Sequence, residues 1–121
     1  MAKILKHGNG WRLGWDPEAG QFKGLVGGDE WAIELTEAEL EDFCRLLLKL
    51  AQTMKEMAGE LMDEEKIACE MESDRLWMEA EGYADAFSVR FILNGGRRCE
   101  AGWPPEVVPD LVQAAAVLKV F

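Results

Sequence analysis

The sequence predicts a single α+β domain made of two β4α units, each an antiparallel sheet followed by a helix. Three observations predict it. Apolar residues alternate with polar or small ones in a series of short runs, the period of a half-buried strand. A capping box, Thr36-Glu37-Ala38-Glu39, opens a long stripe of apolar residues at helical spacing. The order of strands, glycine turn, strand and helix then occurs a second time.

The elements follow in order. Residues 2–6 make a short first strand, closed by the Gly8-Asn9-Gly10 turn. Trp11, Leu13 and Trp15 alternate with Arg12 and Gly14 in a second. The turn Asp16-Pro17-Glu18-Ala19-Gly20 leads to a third, Phe22 to Val26. Gly27-Gly28-Asp29 is a tight hairpin signal, and Trp31, Ile33 and Leu35 mark the fourth strand. The helix is expected over 37–62. Its stripe is Leu40, Phe43, Leu47, Leu50, Met54, Met57 and Leu61, a heptad seam widened by Cys44, Ala51 and Ala58. At ~1.5 Å per residue it would be ~39 Å long, more than a small sheet covers, so part of the seam should meet another helix.

The second series begins after Asp63-Glu64-Glu65. Ile67, Cys69 and Met71 alternate with Ala68, Glu70 and Glu72. Leu76, Met78 and Ala80 alternate with Trp77, Glu79 and Glu81, and Phe87, Val89, Phe91 and Leu93 with Ser88, Arg90 and Ile92. After Asn94-Gly95-Gly96, a strand from Arg97 to Trp103 ends at Pro104-Pro105. A last helix, about 106–119, carries Val108, Leu111, Val112, Ala115 and Leu118, with Pro109 in its first turn. A shift of 68 residues aligns the halves without a gap, putting Gly14 on Gly82 and Gly27-Gly28 on Gly95-Gly96. The expected organisation is one domain, 1–121, with pseudo-repeats at about 1–62 and 64–121.

Composition bounds the function. The chain has 121 residues, 49% of them hydrophobic, enough for a core of its own. Thirteen basic residues face 23 acidic ones, a net charge of −10. That balance opposes binding to nucleic acid, whose affinity comes largely from cations meeting phosphates, and docking on anionic lipid. No 18-residue apolar run spans a membrane, and the N-terminus lacks the apolar stretch of a signal peptide. Cys44, Cys69 and Cys99 are widely spaced and odd in number, which fits a reducing compartment, so a cytoplasmic protein is expected. With one histidine, His7, and few serines, no nucleophilic triad or spaced metal motif is present, and no catalysis, metal or cofactor is expected.

The stretch Gly10-Trp11-Arg12-Leu13-Gly14-Trp15-Asp16-Pro17, Gly24 through Gly28, and Trp31 through Thr36 resembles a family of small uncharacterised cyanobacterial proteins, as do Arg90 to Leu93 and Gly102-Trp103-Pro104. That family is thought to share the fold of the Whirly proteins and single-stranded-DNA-binding transcriptional coactivators. The resemblance implies a β4α architecture. It implies no cofactor or activity, and the Lys-Gly-Lys-Ala-Ala-Leu motif of Whirly proteins is absent.

Trp77 stands out as a large aromatic on a polar strand face, which suits an interface. Arg75, Arg90, Arg97 and Arg98 supply a small basic spot, although neighbouring glutamates also explain them as cross-strand ion pairs. Met54 and Met57 suit adaptable apolar contact near the helix end. The expected function is binding of another protein, homodimerisation through the long helix being one form of it. The alternative is single-stranded nucleic acid on the sheet face. A small-molecule pocket between the sheets is a third reading.

Overall fold

The computed structural model describes residues 2–58 and 65–121. The first unit has strands β1 (Ile4–Gly8), β2 (Trp11–Trp15), β3 (Gly24–Gly27) and β4 (Ala32–Leu35), then helix α1 (Glu37–Met57). The second has β5 (Ile67–Glu72), β6 (Leu76–Tyr83), β7 (Ala86–Leu93) and β8 (Glu100–Trp103), then helix α2 (Val108–Val117). Each set of four strands forms its own antiparallel sheet in sequential order. The duplicated β4α architecture is therefore present. The end of the expected first helix, with Leu61 and Met62, lies outside the described residues.

Boundaries moved where turn chemistry outranked propensity. The first strand runs to Gly8, not Lys6, because Gly8 pairs with Trp11 and only Asn9-Gly10 form the loop. The strand expected from Arg97 starts at Glu100; Arg98 takes a positive φ of 45°, which breaks an extended chain. Pro109 does sit in the first turn of α2.

The ungapped shift of 68 holds for only part of the repeat. Ile4 pairs with Trp15, which pairs with Gly24, whereas Cys69 pairs with Ala80, which pairs with Val89. The first three strands thus correspond at an offset of 65, as Cys69 to Ile4. Gly24 then pairs with Leu35, and Val89 with Trp103, so the fourth strands correspond at 68. Three extra residues in the β7–β8 loop absorb the difference. Gly27-Gly28 and Gly95-Gly96 are not equivalent: Gly27 is the last residue of β3, while Gly95-Gly96 lie in that longer loop.

The helices form a layer between the inner faces of the sheets. α1 packs on β3 and β4 of its own sheet and on β5 and β6 of the other; α2 packs on β7, on β2 and along α1. Leu40, Phe43, Leu47, Leu50 and Met54 are all fully buried, so the seam closes within one chain over this length. At the centre, Phe43 meets Phe91 and Trp103 edge-on, and Trp103 stacks on Phe91 at 5.7 Å. The Trp103 indole Nε1–H donates to the Gly27 carbonyl at 3.0 Å, a buried hydrogen bond that joins the units. By contrast, the buried Nε1–H groups of Trp11 and Trp15 meet no acceptor among the described residues.

The helix N-terminus is a second joint. Thr36 and Glu39 make the expected reciprocal cap. Arg97, from the β7–β8 loop, donates to the same Glu39 carboxylate and to the Glu34 carbonyl. Cys44 lies buried on α1, and burial pushes its thiol up to about 12. A disulfide-exchange reagent should therefore react with Cys69 and Cys99 in the native protein and reach Cys44 only at the global unfolding rate. Three thiols of equal speed would contradict this placement.

A sheet face of glutamates around one tryptophan

The outer faces of the two sheets, equivalent in register, differ in chemistry. Strand alternation sends Ile67, Cys69, Met71, Leu76, Met78, Ala80, Val89 and Phe91 inward. Their neighbours face solvent: Glu70 and Glu72 on β5, Trp77, Glu79 and Glu81 on β6, Arg90 and Ile92 on β7, and Glu100 on β8. Five carboxylates stand on these strands against one guanidinium, with Trp77 and Ile92 side by side at the centre. On the first sheet the outward residues include Leu5, Arg12, Gly14, Leu25 and Glu34, with no acidic excess.

Trp77 is half-buried, and its position is fixed from two sides. Its Nε1–H donates to a Glu70 carboxylate oxygen at 3.2 Å. The Arg90 guanidinium lies 4.8 Å from the ring centroid, a cation–π distance. Arg90 also bonds Glu79 at 3.0 Å and Glu100 at 3.2 Å. The hydrogen bond to Glu79 raises its pKa, helped by the charges of Glu79 and Glu100, so the single cation is held charged. Lys66 approaches Glu81 at 3.8 Å from the sheet edge. Glu70, Glu72, Glu81 and Glu100 remain largely exposed.

The other predicted interface residues are not brought to this face. Arg75, at the β5–β6 turn, pairs with Asp42 of α1 at 3.3 Å. Asp42 also accepts from Ser73 at 2.7 Å and from Arg45 at 3.4 Å. Burial raises the Asp42 pKa, but the hydrogen bonds from Ser73, Arg75 and Arg45 outweigh it and leave the carboxyl below its ordinary 3.8. The sequence gives no sign of this network, because Asp42 looks like a plain dipole-favouring residue in an acidic first helix stretch. Arg97 is committed to the α1 cap and lies over the Phe22 ring; Arg98 is exposed beside it. Met54 belongs to the core, not to a free surface, because the α1 stripe is covered by the sheets. Met57 is half-buried and accepts a weak hydrogen bond from the Cys69 thiol at 3.6 Å.

Among the described residues no group of three or more His, Cys, Asp or Glu side chains is placed to hold a metal ion. No helix among them is long and apolar enough to cross a membrane. The three cysteines are free thiols.

Fold and face together define a class: a two-unit β4α protein with its helices inside and one strongly acidic sheet surface. The chain belongs to the family described as domain of unknown function (DUF1818), whose model matches residues 6–118. It is also similar to the crystal structure, at 1.80 Å, of a protein with unknown function from the DUF155 family of Prochlorococcus sp. NATL2A. That similarity has a TM-score of 0.89 and 31% identity, covering 95% of this chain and 97% of that one. No curated protein matches the chain.

Proposed function

We propose that this protein is a non-catalytic binding module that docks a positively charged segment of another protein on the outer face of its second sheet. The observation that carries the reading is the set of five glutamates around Trp77 and Ile92, with Arg90 the only cation on the strands. An aromatic and an aliphatic side chain supply an apolar centre, and a carboxylate rim supplies attraction and register for lysines and arginines. The Trp77–Arg90–Glu79 arrangement already displays how this face holds a guanidinium: its central carbon over the ring, and a carboxylate on its Nε. The free thiols support a reducing, cytoplasmic setting. A cyanobacterial origin and a Whirly-like ancestry, both implied by the resemblance, belong with this reading. The two β4α units support the latter.

Single-stranded nucleic acid on the sheet is the competing reading, since the Whirly-like proteins share this element order. The carboxylate excess on the second sheet repels phosphates, and Arg12 on the first donates to two turn carbonyls, Gly28 and Trp31. Two fluorescence-polarisation titrations at low salt separate the readings. A labelled peptide alternating arginine and leucine should bind, and the double variant Glu72→Lys/Glu81→Lys should weaken it about tenfold, because like charges then oppose. Labelled oligo(dT) should give no response. Binding of the oligonucleotide but not of the peptide would replace this proposal with the competing one.

A further inference from the structure

Both halves of the first sheet contain the same four-residue hairpin closure, and the two closures meet. In Gly8-Asn9-Gly10-Trp11, Gly8 pairs with Trp11 across a two-residue loop. In Gly28-Asp29-Glu30-Trp31, the Gly28 amide donates to the Trp31 carbonyl at 2.9 Å across another. Each tryptophan lays its indole on the glycine of its own hairpin. A Cβ on Gly8 or Gly28 would fall 2.4 Å from the facing indole Nε1, so only glycine fits. Asp29 then accepts from the Gly10 amide at 3.0 Å and ties the two tips together.

Where these tips meet the exit of β8 there is a cleft of about 670 Å³. Trp31 forms one wall and tilts onto Trp103 at 5.3 Å between centroids. Gly28, Gly102 and Pro104 line it without polar side chains, and every charged side chain on it is a carboxylate: Asp29, Glu30 and Glu106. Asp29 is occupied by Gly10, whereas Glu30 and Glu106 are exposed at the rim. Arg12 stays behind the turn, bonded to the Gly28 and Trp31 carbonyls, and so shapes the tip without lining the cleft. Of the outer face of the second sheet only Gly102, the β8 partner of Arg90, reaches this cleft; Trp77, Arg90 and the five glutamates do not line it.

We infer that this cleft is a site for a weakly hydrated organic cation, an alkylated ammonium or a guanidinium. Such a cation places its apolar flank on the Trp31 ring and its charge between Glu30 and Glu106. Small inorganic cations hold their water too tightly to gain from an aromatic wall, and anions are repelled. The cation can come as a free small molecule or as an arginine side chain carried by a partner.

The test follows the tryptophan indole N–H resonances of the 15N-labelled full chain. Tetramethylammonium is titrated in one arm and a short arginine-containing peptide in another, with tert-butanol as the uncharged counterpart of the first. Saturable shifts of Trp31 and Trp103 are expected for the cations and not for the alcohol. Saturation by tetramethylammonium points to a free ligand, and saturation by the peptide alone to a partner's arginine. Glu30→Gln/Glu106→Gln, both at exposed positions, should weaken binding, and Trp31→Leu should weaken it about threefold to fivefold. No saturable shift with either cation, equal shifts with tert-butanol, or undiminished binding by the glutamine variant overturns the assignment.

Discussion

Trp103→Ala should cost the protein about 3–5 kcal/mol of stability, more than the loss of any one hydrogen bond in the fold. Trp103 is 2% exposed and reaches three parts of the molecule at once. It stacks on Phe91 of its own sheet, meets Phe43 of α1, and tilts against Trp31 of the other unit. Its Nε1–H also satisfies the Gly27 carbonyl. Truncation leaves a cavity where the units join and an acceptor with no donor. Trp103→Phe keeps an aromatic ring and isolates the second loss, at about 1–2 kcal/mol. Trp15→Phe is the matching control, because the Trp15 Nε1–H has no acceptor to lose among the described residues. Urea denaturation should therefore rank Trp103→Ala lowest, then Trp103→Phe, then Trp15→Phe. If Trp15→Phe proved as damaging as Trp103→Phe, the bond to Gly27 would not be what joins the units.

Asp42→Asn should cost about 2 kcal/mol at neutral pH, the range for hydrogen bonds to a buried charge. Asp42 is 6% exposed, and its carboxylate gathers Ser73, Arg75 and Arg45. It pins α1 to the β5–β6 turn, and Ser73 in turn accepts from the Arg75 and Leu76 amides. The pH dependence has a definite sign. The folded pKa lies below 3.8, so the unfolded chain binds the proton more readily. The stabilisation is fully present above pH 3.8 and is lost as pH falls through the folded value. The gap between wild type and Asp42→Asn should stay constant from pH 7 down to about pH 5 and close below pH 3.8. A gap that widens on acidification would mean that another group holds the turn.

Much of the architecture was legible because period and capping are local. The alternation in β5 to β7 needed only strand geometry, and Thr36 with Glu39 needed only one helical turn. The repeat offset departs from the gapless shift for an equally physical reason. A gapless shift rewards matched glycines, but register is set by backbone pairing, and loops can gain three residues at little cost. The candidate site was half legible. Trp77 and Arg90 face outward as their strand positions require, and they meet. Arg75 and Arg97 looked like surface cations, yet each has a partner far along the chain: Arg75 meets Asp42 and Arg97 meets Glu39. Met54 looked like an adaptable surface residue because the second sheet that covers α1 lies far along the chain.

The sequence by itself determined the elements, their order, the inward set on each strand and the acidic excess, since each follows from nearest neighbours along the chain. Only the tertiary structure decided where that excess gathers, which arginines remain to face solvent, and that two Gly-x-x-Trp hairpin tips meet at the end of β8. Those outcomes depend on contacts between residues far apart in the chain, 19 positions for Gly10 with Asp29 and 76 for Gly27 with Trp103. No periodicity records such distances; they are set when two sheets close over one shared layer of helices.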